Sequence, residues 1–212
     1  MTSSSQPSGP TTYADRVFRS PGGMVGGVLL LALAAWIGGD AVVRGEGSAP
    51  WLALSGLLLV VPPLVAFTLR PAVYANDDRL RIRNPFRSIV LPWASVADVR
   101  AGYSSEVLTK DGAKYQMWAV PVSLRQRKRA TRRQARDATE DPHGRTSMRV
   151  DLNDSRSRIA PADQAVRDLR DLAERAGDRP GAQGEPRVRW AYEVLAPTAA
   201  GAVLLVVLLA VG

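Results

Sequence analysis

The chain contains no cysteine and only one histidine. Without a thiol there is no disulfide, no thiolate nucleophile and no zinc ribbon. His143 sits in the turn-forming stretch Asp141-Pro142-His143-Gly144, with no partners arranged to ligate a metal or to relay a proton. Glycine loops that cradle phosphate, nucleophile–base pairs and paired catalytic carboxylates are also missing. Asp137, Glu140 and Asp141 lie beside Arg133 and Arg136 and read as local charge compensation. These absences argue against an enzyme and imply no cofactor and no bound metal. Charge is absent too from the depths of three long apolar runs. Asp40 stands near the end of the first, so no ion or proton pathway of the usual ionisable kind is expected.

What is present is a three-part layout. Residues 24–43, 51–69 and 195–211 are apolar runs, each about long enough to cross the ~30 Å hydrocarbon core as a helix. The first is too long for a signal-peptide core and follows a polar Ser/Thr/Pro stretch, so it reads as a retained span. Pro62 and Pro63 should kink the second. Gly22, Gly23, Gly26 and Gly27 form two overlapping small-xxx-small pairs at the start of the first. They suit either tight packing within a helical hairpin or a homo-oligomer contact.

The net charge of +8 arises in the polar middle of the chain. Arg16 and Arg19 precede the first run; Arg70, Arg79, Arg81, Arg83 and Arg87 follow the second; Arg187 and Arg189 precede the third. Short basic flanks stay on the cytoplasmic side. The expected arrangement is a multi-pass plasma-membrane protein with its N-terminus and middle domain in the cytoplasm and its C-terminus outside. Trp51, Trp190 and Tyr192 stand where interfacial aromatics belong. The expected divisions are a disordered tail over 1–20, a transmembrane hairpin over 23–69, a domain over 71–177 with a basic insertion at 125–147, a linker over 178–193 and a final span over 194–212.

Within the middle domain, residues 72–75 run into the turn cluster Asn76-Asp77-Asp78. The stretch Arg79-Leu80-Arg81-Ile82-Arg83 alternates as a half-buried strand should. Further strands are expected over 88–91, 96–101 and 106–109. Asp111-Gly112 supplies a hairpin signal before a return strand over 114–120. A helix follows: Pro161 suits its first turn, Asp163 suits the positive end of its dipole, and Val166, Leu169, Leu172, Ala173 and Ala176 recur on one face before Gly177.

The stretch from Arg79 through Asn84-Pro85-Phe86 and Pro92-Trp93 to Arg100 resembles the bacterial pleckstrin-homology-like family of actinobacterial membrane proteins. The hairpin followed by Trp118-Ala119-Val120-Pro121 is similar to it as well. The resemblance covers about residues 71–124 plus the helix from 161. It implies a bent, partly open antiparallel β-barrel of seven strands, closed by a C-terminal helix. The fold class expected is therefore membrane α-helical plus α+β: two N-terminal and one C-terminal transmembrane helices flanking a PH-like β-barrel. Residues 147–152 are the candidate seventh strand. The resemblance carries no catalytic signature.

The sharpest polar feature is the run Arg125, Arg127, Lys128, Arg129, Arg132, Arg133 and Arg136, with no acid within it. Held near a bilayer, such bases attract anionic lipid headgroups by about 1 kcal/mol each. A solvated basic loop that only enforces topology is the plainer reading. Nucleic acid is not expected as a partner, because no aromatic platform accompanies the run. The turn at Asn76-Asp77-Asp78 is acidic where eukaryotic pleckstrin-homology domains often place phosphoinositide-binding bases. Trp93 and Trp118 read as structural. The function expected is a non-catalytic binding or scaffolding module anchored at the membrane, contacting a protein partner or anionic lipid. The alternative is an accessory subunit of a transport or cell-envelope assembly.

Overall fold

The structure, a computed structural model, describes residues 16–102, 104–120 and 161–211. Three of its helices are long and apolar enough to cross a membrane: α1 (Pro21–Arg44), α2 (Ala49–Thr68) and α4 (Tyr192–Val211). A fourth, α3 (Pro161–Ala176), is amphipathic. The Ser20 side chain caps α1 by accepting the Gly23 N–H at 3.3 Å, and Pro21 supplies the pre-set first turn. α2 runs as one helix through Pro62 and Pro63. It packs against both α1 and α4. Glycines set the separations. A Cβ on Gly38 would lie 2.5 Å from Leu57 Cδ2, and one on Gly201 would lie 2.5 Å from the Leu59 nitrogen. The backbones therefore approach more closely than any larger residue permits.

Among the described residues, eight strands form two antiparallel sheets. The larger has the order β1 (Arg16–Phe18), β2 (Ala72–Ala75), β3 (Arg79–Arg83), β4 (Arg87–Pro92) and β8 (Arg187–Trp190). The smaller is a meander of β5 (Val96–Ala101), β6 (Ser105–Thr109) and β7 (Lys114–Gln116). A 3-10 turn at Trp93–Ser95 carries the chain from one sheet to the other. Asp111-Gly112 turns β6 into β7, with Gly112 in the left-handed region at φ 86°.

The core lies between the sheets. Leu80, Ile82, Ile89 and Leu91 meet Trp93, Val99, Val107 and Met117, all fully buried. Each such side chain contributes about 1.5–3 kcal/mol on leaving water. α3 covers β5 and the 3-10 turn with Ala165, Val166, Leu169, Leu172 and Ala176. Arg170 fastens it by donating to the Val99 carbonyl at 2.6 Å and to Asp98 Oδ1 at 3.1 Å.

Three expectations change. First, barrel closure is not found among the described residues: no strand pair joins the two sheets. β1 takes the outer edge of β2 and β8 takes that of β4, so neither inner strand is left to pair with the smaller sheet. Second, the larger sheet extends past both expected domain boundaries, because β1 comes from the stretch assigned to the tail and β8 from the stretch assigned to the linker. Third, the return strand ends at Gln116 rather than continuing to residue 120. β6 begins at Ser105, whose carbonyl already accepts the Met117 N–H at 2.8 Å, so the ladder has no partner beyond that point, and the Val120 N–H turns back onto the Met117 carbonyl at 3.2 Å. On the opposite edge of this segment Asn84 Nδ2 donates to the Gln116 carbonyl at 2.8 Å and Asn84 Oδ1 accepts the Trp118 N–H at 3.3 Å. The candidate seventh strand at 147–152 lies outside the described residues.

The connections share one pattern. β1 leads into α1, α2 leads into β2, and β8 leads into α4. Every apolar helix is thus spliced to a strand of the same sheet, at one end of the molecule.

Candidate functional site

That junction is built from few residues. Arg70 follows α2, and its side chain is only 9% exposed. It donates from Nη1 to Glu193 Oε1 at 2.6 Å, from Nε to the Asn84 carbonyl at 3.2 Å and from Nη2 to Ser88 Oγ at 3.3 Å. One guanidinium therefore ties the end of α2 to the β3–β4 turn and to the first turn of α4. The planar fork of arginine suits such divergent acceptors, which a lysine ammonium would serve poorly. Beside it, Ala66, Ala191 and Val194 are buried against Phe86. The Phe67 ring meets Phe86 edge-on at 5.1 Å and Trp118 at 5.5 Å. Trp118 keeps 47% of its surface exposed, and Trp190 and Tyr192 are exposed at the same end.

The outward face of the larger sheet is strongly basic. In β3, Leu80 and Ile82 point inward, so Arg79, Arg81 and Arg83 point outward. Register carries that face across the sheet. Arg81 lies opposite Tyr74 on one side and Val90 on the other; Val90 lies opposite Arg187, and Ser88 lies between Arg83 and Arg189. Arg81, Arg83, Arg187 and Arg189 thus form a rectangle about 10 Å across two strand steps and about 7 Å along the strands. No carboxylate occupies a paired position on this face, and among the described residues none of these four arginines forms an ion pair.

Tyr74 lies at the edge of the rectangle. Arg19 Nη2 donates to its hydroxyl at 3.0 Å. Partial burial of the phenol opposes its ionisation, yet the hydrogen bonds and positive charges of Arg19 and Arg83 prevail and hold its pKa below the ordinary tyrosine value. The face therefore favours negative charge, even on a tyrosine oxygen.

Residues 70–183 match the family described as "Bacterial PH domain", a span of more than half the chain. The chain belongs to the bacterial PH domain family. No curated protein and no solved structure matches it. In the PH domain Trp93 is a core residue, 1% exposed, whose Nε1 donates to the Asn76 carbonyl at 2.7 Å. Trp118 stands at the domain's helix-facing end, against Phe67.

The seven bases from Arg125 to Arg136 and His143 lie outside the described residues. Among the described residues, no group of three or more His, Cys, Asp or Glu side chains could hold a metal ion. The four glycines at the start of α1 divide: a Cβ on Gly27 would collide with the Thr68 side chain and one on Gly23 would touch Ser20, whereas Gly22 and Gly26 face open space.

The arginine rectangle was not anticipated as a site. Its residues stand out in the sequence, but they serve there only as a topology signal. The alternation Arg187-Val188-Arg189-Trp190 matches the outward–inward pattern of β3 and was the available clue.

Proposed function

We propose that the protein is a membrane-anchored, non-catalytic PH module that presents a binding surface on the cytoplasmic side of the plasma membrane. The carrying observation is the splicing of all three apolar helices to one sheet, reinforced by the Arg70 clamp. If the helices span the bilayer, this connectivity puts the N-terminal flank and the PH domain on the same face. The loop between α1 and α2 and the C-terminal end then lie on the opposite face. Basic flanks favour the cytoplasm for the domain side. The run from Arg125 to Arg136 adds attraction to anionic headgroups on that side, and a protein partner engages the rigid β-platform. A domain braced directly against its helices acts as a fixed platform at the membrane surface, in contrast to one on a flexible tether.

A chain without native cysteine allows a direct test. Single variants Lys110→Cys, at the β6–β7 hairpin, and Glu46→Cys, between α1 and α2, are exposed to a membrane-impermeant maleimide in intact cells. Labelling of Glu46→Cys together with protection of Lys110→Cys until lysis is expected. Labelling of Lys110→Cys in intact cells overturns the orientation.

A further inference from the structure

We infer that the open edge of β8 takes an extended, acidic segment of a partner protein as an added strand of the larger sheet. This deepens the binding-module reading, on which it rests, by giving the protein partner a chemistry and a docking position.

Four observations carry it. The first is the hydrogen-bond parity of β8. The Ala191 N–H donates to the Phe86 carbonyl at 2.8 Å, and the Asn84 N–H donates to the Arg87 carbonyl at 2.9 Å. Antiparallel ladders alternate between bonded and non-bonded pairs. Arg187 and Arg189 therefore spend their backbone groups on β4, whereas Val188 and Trp190 turn theirs outward. β8 is the last strand of the sheet and all four of its residues are exposed. Among the described residues this is an unpaired strand edge, the template on which an extended segment adds.

The second is charge. A strand laid beside β8 sets its outward residues directly opposite Arg187 and Arg189, in the non-bonded pairs where side chains approach most closely. Acidic residues at alternate positions suit them, and Arg81 and Arg83 extend the same field two strands further in.

The third excludes a second copy. Two β8 strands paired antiparallel through their outward groups set either Val188 opposite Val188, with Arg187 opposite Arg189 twice, or Val188 opposite Trp190, with Arg189 opposite its own copy; like charges directly opposite are destabilising.

The fourth is reach. A leaflet's headgroup layer is about 5–8 Å deep. Arg189, three residues before α4, and Arg83 across Ser88 form the row nearest the helices, but from Arg83 to Arg79 the basic face runs about a further 14 Å along β3. Lipid serves the nearest row; a protein strand serves the rows beyond it. Charge complementarity and the open backbone groups together therefore favour an acidic strand over headgroups.

The test uses the full chain in nanodiscs of neutral phosphatidylcholine, with a fluorescent heptapeptide of alternating Glu and Val and a matching Lys/Val control. Saturable binding of the Glu peptide alone is expected, with slowed amide exchange at Val188 and Trp190. Val188→Pro removes an outward N–H while leaving the pairing with β4 intact, and should weaken binding at least about tenfold, as should Arg187→Glu with Arg189→Glu. If Val188→Pro unfolds, the pair Arg187→Gln and Arg189→Gln together with amide exchange carries the same decision. Equal binding of the Lys peptide, undiminished binding to folded Val188→Pro, or unchanged exchange at Val188 and Trp190 overturns the inference. Concentration-dependent pairing of discs through β8 makes a second copy the occupant, and loss of peptide binding in phosphatidylglycerol discs makes lipid the occupant; either result also overturns it. Both disc faces are accessible, so failure here leaves the maleimide test of orientation standing, and failure of that test leaves strand addition standing.

Discussion

Arg70 Nη1 lies 2.6 Å from Glu193 Oε1, joining the residue behind the second apolar helix to the opening turn of the last. The two ends of this bond differ in value. Glu193 is 62% exposed, so solvent screens the ion pair to about 0.2–1 kcal/mol. Arg70 is buried and also serves the Asn84 carbonyl and Ser88. Arg70→Met should therefore cost about 1–3 kcal/mol by leaving buried acceptors unpaired, and Glu193→Gln distinctly less. Thermal unfolding of the full chain in detergent micelles distinguishes them. Equal losses would place the worth of the junction in the ion pair itself.

Asn84 joins the sheets where no strand pair does. Its side chain bridges the β3–β4 turn to Gln116 and Trp118, and its carbonyl receives Arg70. It is 4% exposed, and Asn84→Ala leaves the part-buried Gln116 carbonyl and Trp118 N–H without their partner, at about 1–3 kcal/mol in total. Asn84→Asp retains an acceptor for the Trp118 N–H but loses the donor to Gln116 and adds a buried charge. Both variants should speed amide exchange at Trp118, while Val107 in the centre of the smaller sheet remains protected. Uniform loss of protection would mean that Asn84 supports the whole core.

Much of this architecture is legible in residue order, and the exceptions share a cause. The strands at Ala72–Ala75, Arg79–Arg83 and Val96–Ala101 follow from alternation and turn residues, which act locally. β1 and β8 have three and four residues and adjoin apolar helices, so charge and hydropathy there read as membrane flanks. Only long-range pairing makes them strands. The same holds for the arginine rectangle: Arg81 and Arg83 meet Arg187 and Arg189 across β4, a juxtaposition no spacing rule contains. Arg70 as a clamp is equally hidden, because its partners stand 14, 18 and 123 residues away.

Gly26 and Gly27 are neighbours in α1 with opposite surroundings. A side chain at Gly27 meets Thr68, whereas one at Gly26 meets nothing within 4 Å. Gly27→Leu should force α1 from α2 and lower stability by about 1–3 kcal/mol through overpacking, without changing the size of the particle. Gly26→Leu should leave the monomer's stability within about 0.5 kcal/mol. Analytical ultracentrifugation in micelles then separates the two uses of these glycines. A shift of Gly26→Leu, and of Gly22→Leu, to a smaller species would assign the open glycines to contact between copies.

Tyr74 offers a titration that reads the basic face directly. Its phenol is flanked by Arg19 and Arg83 and lies opposite Arg81 and Val17. Partial burial resists the phenolate, but the arginines outweigh it, so ionisation occurs below the ordinary tyrosine range. The folded state then gives up this proton more readily than the unfolded chain. The stabilisation is fully present above the unfolded pKa and is lost as pH falls through the folded one. The difference in phenolate absorbance between the parent chain and Tyr74→Phe isolates this group from the other tyrosines. Arg19→Gln and Arg83→Gln should each move that difference curve to higher pH, and the double variant further still. High salt should reproduce part of the movement by screening the exposed guanidiniums. A curve unmoved by either substitution would show that burial governs Tyr74 and that the arginines do not favour negative charge on this face.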